Sequence, residues 1–583
     1  MFFYFSFQAF SWEKRNANLK RDFRKSVFNM AESIIHPVEA NKELEDTHIS
    51  EKGIIQLLEK CSVFGPYQRR LYTYILVSKI FSVITAMSIT FSTGNVPFLC
   101  YPPNFNASTI PANLTENEYL QMLRPDGDDQ CSVYNNSFTG TYYTTPPSNS
   151  SKLQCSYGRK FLTEEFSTIV SEFDLVCERK WLKSTLQSVY FAGYLCGCIV
   201  FGILSDRFGR KTMLLWALIF VTVCGLGKIF VPLLAILMIL YSLQALSHIG
   251  TSITFYTIML EFATTNSRTV VNFGYMCIFT SVSMILSGLA YAIPDWHYFE
   301  LTVCLLPMIS VCGWRFIPES PRWLIGRKRF AEAKIILRKM IKQNKIHPQE
   351  WIVFFTNDVK SFEQIDSQDN LDDERKSPRE KNYTFIDLFK TFYLASITIN
   401  ICFSWFVMSM VYYGITLNSV DMAGNRSINF LVMLAVELPA SLCCYYLFIR
   451  FGHRKPISFF MMFSGLCCIV SNFTTEGSFW FPLMLVVLGK FGITAAFNAI
   501  YLLTAEIFPT VVRTNALGVA SMAARFGSIF APFILQLSSY AKWFPLSFYG
   551  ILSVISGSLL LLLPEPKDKN LPQTFEDLNN WKT

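Results

Sequence analysis

The sequence predicts an all-α membrane protein, with twelve transmembrane helices in two six-helix pseudo-symmetric bundles, and three observations predict it. Of 583 residues, 51% are apolar and only 16% charged, which lies outside the soluble globular range. Twelve apolar stretches of about 20 residues, enough to cross a hydrocarbon core of about 30 Å as helix, fall at 72–98, 184–204, 213–231, 233–256, 270–292, 297–317, 392–415, 427–449, 456–473, 480–503, 514–538 and 543–563. Short motifs then recur after 243 to 246 residues: Asp206-Arg207-Phe208-Gly209-Arg210-Lys211 returns as Ile449-Arg450-Phe451-Gly452-His453-Arg454-Lys455, Glu261 and Arg268 as Glu506 and Arg513, and Pro318-Glu319-Ser320-Pro321 as Pro564-Glu565-Pro566. Duplicated halves that rock about a shared central ligand are a transporter architecture.

Basic residues in short loops resist translocation. Arg207, Arg210 and Lys211 after the second stretch, and Arg322, Arg327, Lys328 and Arg329 after the sixth, therefore predict cytoplasmic loops and cytoplasmic termini. The formal charge of +8 follows from such loops and calls for no nucleic acid partner. Residues 1–71 read as a cytoplasmic segment, 72–317 as the first bundle, 318–391 as a cytoplasmic inter-bundle stretch with a basic helix, 392–563 as the second bundle and 564–583 as a cytoplasmic tail. The aromatic start lacks the marks of a signal peptide. Residues 99–183 then lie outside, where four glycosylation sequons, at Asn106, Asn113, Asn135 and Asn149, are expected to carry glycan. Cys100, Cys131, Cys155 and Cys177 in the same loop suit two disulfides, with three pairings open.

Gly202-x-x-x-Asp206-Arg207-x-Gly209-Arg210-Lys211 resembles the signature of the major facilitator superfamily. Further pieces resemble its organic cation, organic anion and carnitine transporter family, solute carrier family 22: Ser167-Thr168-x-x-x-Glu172-x-x-Leu175-Val176-Cys177, Pro318-Glu319-Ser320-Pro321-Arg322-Trp323-Leu324 and Ala505-Glu506-x-x-Pro509-Thr510-x-x-Arg513. Leu417-Asn418-Ser419-Val420 and Leu488-Gly489-Lys490-Phe491-Gly492 are most similar to its carnitine and organic cation members. The resemblance covers nearly the whole chain and implies the major facilitator fold, a plasma-membrane location and carriage of small organic ions. It also implies a cytoplasmic gate of ion pairs from Asp206, Arg207, Arg210, Glu261, Arg268, Glu319, Arg322, Arg450, Glu506, Arg513 and Glu565. Topology-setting charge alone would not explain the acids matched to these bases.

Charges inside a bilayer are costly and usually face a partner or a cavity. Glu437, Lys490 and Arg525 lie deep in the eighth, tenth and eleventh stretches and sum to one positive charge, which disfavours binding of a bare cation. Organic cation transporters typically have aspartate at the position matching Arg525 and often glutamate at that of Asn498; this chain departs at both and is more similar to carnitine and organic anion carriers. A guanidinium fork suits a carboxylate, so Arg525 is the expected receptor for one. Trp405, Tyr412, Tyr413, Phe497 and Tyr501, with Asn498 beside them, are candidates to hold a quaternary ammonium. The competing roles are plain packing for the aromatics and mutual neutralisation for Glu437 and Lys490. His248 reads as a packing residue and Lys79, near the cytoplasmic end of the first stretch, as a snorkelling one.

Transport of organic cations or zwitterions such as carnitine and quaternary amines is the leading expectation, with an organic anion exchanger as the alternative and a non-transporting receptor or scaffold as the reading from another class. Nothing in the sequence has the spacing of a metal site, a catalytic acid pair or a phosphate loop, so no enzyme, cofactor or metal is expected. The ligands are a small organic ion, the coupling ion that ion-driven carriage requires, and the lipid bilayer.

Overall fold

The computed structural model describes residues 65–345 and 384–578, apart from 104, 106–109, 111–113, 126–130, 135–151, 164, 264–267, 423, 474–479, 568–571 and 573–576. The four sequon asparagines, an apolar-periodic segment at 54–61 and a polar, charged stretch at 361–382 lie outside the described residues.

Among the described residues, ten helices are long and apolar enough to cross a membrane: Pro66–Ser92, Cys177–Phe208, Arg210–Phe230, Leu234–Glu261, Trp296–Phe316, Phe392–Asn418, Arg426–Cys444, Arg454–Phe473, Trp480–Ile507 and Arg513–Ser539. The helices Arg268–Ala292 and Phe544–Leu560 complete a set of twelve. They are called the first to twelfth spans in chain order. All lie in one compact unit. The chain thus has the twelve-helix architecture that its apolar pattern predicts.

Three departures matter for the site. The first span starts at Pro66 and ends at Ser92, six residues before the expected stretch at either end. Its proline takes the first-turn position, where the missing N–H costs nothing. The apolar residues beyond it, Phe98–Cys100, form strand β1 instead of helix and pair antiparallel with β4, Arg159–Phe161. Strands β2, Ser132–Tyr134, and β3, Lys152–Gln154, form a second antiparallel pair. Disulfides Cys100–Cys155 and Cys131–Cys177 tie this small β layer to the start of the second span. The eighth span breaks at Val436, between Arg426–Ala435 and Glu437–Phe451. Pro439 cannot donate to the carbonyl four residues back, at Ala435, which weakens the helix there.

Candidate functional site

At the end of the bundle that carries the repeated motifs, the two halves build the same device twice. Gly209 has φ +98°, and a Cβ there would lie 2.6 Å from Glu319 Oε2; Gly452 has φ +83°, with Glu565 Oε1 at 2.7 Å. Only glycine gives both the backbone shape and the room. Each glutamate accepts free N–H groups at the start of the following span: Glu319 from Arg210 at 3.0 Å and Lys211 at 3.2 Å, Glu565 from His453 at 3.1 Å. Helix starts have such unmet donors and favour negative charge. Burial nevertheless raises the Glu319 carboxyl above its ordinary range, with those N–H bonds opposing the shift.

The residue after each glycine pairs with the acid at the end of the fourth or tenth span. Arg210 reaches Asp206 at 2.8 Å and Glu261 at 3.1 Å, and His453 reaches Glu506 at 2.8 Å. Arg454 adds Glu565 at 3.6 Å. Arg207 stands over Phe208 and Arg450 over Tyr446. Arg513 donates to the Phe508 carbonyl at 3.4 Å, and Arg322 Nε is buried without a hydrogen bond. The side chain of Arg268 lies outside the described residues. Among the described residues, every ion pair at this end joins members of one half, and none crosses between halves.

The opposite end, where the disulfides lie, is clasped. Lys183 of the second span binds Asp421, between the seventh and eighth, at 2.6 Å, and Asn95 Oδ1 at 2.8 Å; the Asn95 N–H donates to Asp421 at 2.8 Å. Lys180 reaches Ser539 at 2.8 Å, and Arg426 lies 3.7 Å over the Phe166 ring. Sequence reasoning did not single out these residues. The available signal was Lys183 and Asp421 as opposite charges at span ends on the same side.

In the middle, Glu437 and Lys490 form an ion pair at 3.1 Å, both essentially inaccessible. Glu437 also accepts from Tyr412 at 2.6 Å and from Thr280 of the other half at 3.1 Å; Lys490 donates to Thr416 at 2.7 Å and lies 3.2 Å over the Tyr412 ring. These bonds satisfy both charges, as burial of an ion pair requires. A second buried pair, absent from the expectations, joins Lys228 to Glu300 at 2.8 Å, with Tyr241 and Ser92 donating to the carboxylate. Both residues sit near span ends, where charge is commonplace, so position alone did not mark them.

Arg525 differs from all of these. It lies at the midpoint of the eleventh span, partly accessible, with its Nε unpartnered and no carboxylate in ion-pair reach among the described residues. Its guanidinium is 5.9 Å from the Tyr194 ring of the other half, with Tyr413 and Tyr501 in electrostatic reach. Around it, Trp405 is fully buried and donates to Thr504 at 3.0 Å, and its ring lies 4.2 Å from that of Tyr501 and 6.2 Å from Phe497. Phe497 stacks on Tyr412 at 5.7 Å, and Tyr413 contacts Phe191 of the other half at 4.8 Å. Tyr501 keeps 43% of its surface exposed, and Asn498 bonds Ser441 at 2.8 Å. The candidate aromatics thus form one cluster, with Trp405 and Tyr412 inside the packing and Tyr501 open.

Lys79 corrects an expectation. The first span begins at Pro66, so Lys79 stands at its midpoint instead of near its end, and it is 1% exposed. It does not snorkel; its ammonium donates to the Tyr275 carbonyl at 3.1 Å.

Helix count, repeated clusters and a charged midplane are the features of a membrane transporter. The sequence matches the family described as Sugar (and other) transporter over residues 134–577. It is 30% identical over 532 residues to the organic cation transporter protein of Drosophila melanogaster, covering 91% of this chain and 95% of that one. It is 29% identical to the human organic cation/carnitine transporter 2 (88% and 92%) and 30% identical to mouse solute carrier family 22 member 3 (90% and 95%). The inward-open xylose transporter XylE from E. coli superposes with a TM-score of 0.54 at 15% identity, over 90% of this chain and 99% of that one, a likeness of fold alone. The chain belongs to the major facilitator superfamily and, within it, to the organic cation and carnitine transporter family, whose members are membrane transporters and not enzymes.

Proposed function

We propose that the protein carries small organic ions bearing a carboxylate, above all zwitterions of the carnitine type, across the plasma membrane by alternating access. The disulfide end then faces outward and both termini lie in the cytoplasm. The observation that carries this reading is Arg525, a midplane guanidinium without an acid. Glu437, the acid nearest to a cation-binding role, is held by Lys490 at 3.1 Å. A bare cation would meet net positive charge in the middle of the chain. A zwitterion would place its carboxylate on the guanidinium and its ammonium group against tyrosine faces, each contact contributing roughly 0.5–2 kcal/mol.

The clasp Lys183–Asp421 and the separate clusters at the motif end support reading this as the inward-facing state of such a cycle. Outward opening would break the clasp and bring the two motif clusters together, two states a few kcal/mol apart that substrate can bias.

Organic anion exchange is the second reading, favoured by a second midplane base without an acid, Lys79. Uptake into liposomes of a labelled zwitterion, an aryl cation and a dicarboxylate, by the native chain and by Arg525→Asp, separates the two. Native preference for the zwitterion, with loss of zwitterion uptake and gain of cation uptake in the variant, supports the proposal. An unchanged order among the three removes Arg525 from the binding site.

A further inference from the structure

The N-terminal half holds two basic side chains at mid-span, as Arg525 is in its own span, that the zwitterion reading leaves unused. Lys79 and His248 stand at the midpoints of the first and fourth spans, about 20 Å along the helix from either end at 1.5 Å per residue. The spans are tied to each other one turn away by the hydroxyls of Ser82 and Thr251 at 2.9 Å. Lys79 has three N–H donors; one goes to the Tyr275 carbonyl, and the ammonium also lies against the Tyr275 ring, so its partners are neutral. Among the described residues no carboxylate pairs with it: the interior acids Glu300 and Glu437 are bound by Lys228 and Lys490. His248 is 2% exposed, its Nδ1 bonds the Tyr194 hydroxyl at 2.8 Å, and its Nε2 has no partner. Where the Tyr194 hydroxyl donates to Nδ1, the neutral ring carries its hydrogen on Nε2, a free buried donor. The first and fourth spans pack against each other, and Tyr194 continues the line from His248 to Arg525.

A buried ammonium without counter-charge costs several kcal/mol, and so does an unmet polar group beside it. Packing alone gives no return for placing both at one depth. We propose that Lys79 and His248 form an anion subsite in the N-terminal half that takes one carboxylate-sized anionic group. That group is either a second acid group of the substrate or an inorganic anion, such as chloride, that accompanies it. The proposal extends the transport reading by giving the cycle a second charge to move.

The test uses the full chain, purified and in liposomes, as native protein, Lys79→Arg and Lys79→Met. Methionine matches the volume and removes the charge, so the fold is expected to tolerate it. Melting temperature is followed while sodium chloride or a five-carbon dicarboxylate replaces gluconate. The native chain and Lys79→Arg should be stabilised with similar half-saturation, and Lys79→Met should need about tenfold more anion or show no response. Lys79 dependence of the dicarboxylate response assigns the site to substrate; dependence of the chloride response assigns it to an inorganic anion. A native chain that responds to neither anion, or a Lys79→Met chain that responds to both as the native chain does, overturns the subsite. Flux is read separately: Lys79-dependent stabilisation with no uptake of any probe would leave the subsite and defeat the transport reading, whereas uptake with no such stabilisation would do the reverse.

Discussion

The two halves agree at one end and differ in the middle. Gly209, Arg210, Glu261 and Glu319 have counterparts in Gly452, His453, Glu506 and Glu565, down to the carboxylate that would collide with a glycine Cβ. At mid-depth the C-terminal half has an ion pair and one spare guanidinium, whereas the N-terminal half has a lysine and a histidine with no acid beside them. On the proposed cycle, duplication kept alike the parts that must fit in either half for rocking. A ligand between the halves would meet each from one side only, so nothing would hold their midplanes alike.

Breaking the midplane pair should have the largest effect. Glu437→Ala leaves Lys490 buried and unpaired, and should cost about 3–5 kcal/mol of stability in detergent, whereas removing both charges with Glu437→Leu and Lys490→Leu should restore most of it. Equal losses in the single and double variants would mean the pair is not the unit. Next comes the clasp. Asp421→Asn should weaken the hold of Lys183 by about 1–3 kcal/mol and raise outward-facing population severalfold, read as faster labelling of a cysteine placed at Ser188; unchanged labelling would show the clasp to be idle.

The repeated clusters sharpen the comparison with smaller effects. Arg210→Ala should lower uptake by about tenfold at constant surface level, and His453→Ala by less, because Arg210 pairs with two carboxylates, Asp206 and Glu261, and His453 with Glu506 alone. The reverse order would contradict the equivalence drawn between them. The smallest effect concerns acid. Burial raises the Glu319 carboxyl, so its contribution to stability is full below the ordinary carboxylate range and is lost as pH rises through the raised value. Melting temperature compared across that window should lose this slope in Glu319→Gln and keep it in Glu565→Gln.

Apolar periodicity made the twelve spans legible, and repetition at a fixed offset exposed the paired clusters. Pairing in three dimensions was less so. Glu437 and Lys490 are 53 positions apart, and only packing of the eighth span on the tenth brings them together. Lys79 was misplaced because Val96, Phe98 and Leu99 prolong the apolar run, while the chain past Ser92 is held as a strand by a partner some 60 residues on. The cysteine pairing had the same cause: one sequence allows three connectivities, and the strand pairs choose between them. Lys228 and Glu300 resembled boundary charges until their helices met.

Rocking of the halves in response to a carboxylate ligand is the central claim, and a distance measurement reaches it most directly. Spin labels at Glu178 and Tyr540 of a chain without free cysteines flank the contact of Lys180 with Ser539, which joins the halves at 2.8 Å at the disulfide end. The account predicts a short distance without ligand, a second, longer population on adding a carnitine-type zwitterion, and loss of that response in Arg525→Asp. A single distance, unchanged by zwitterion in the native chain, would contradict it.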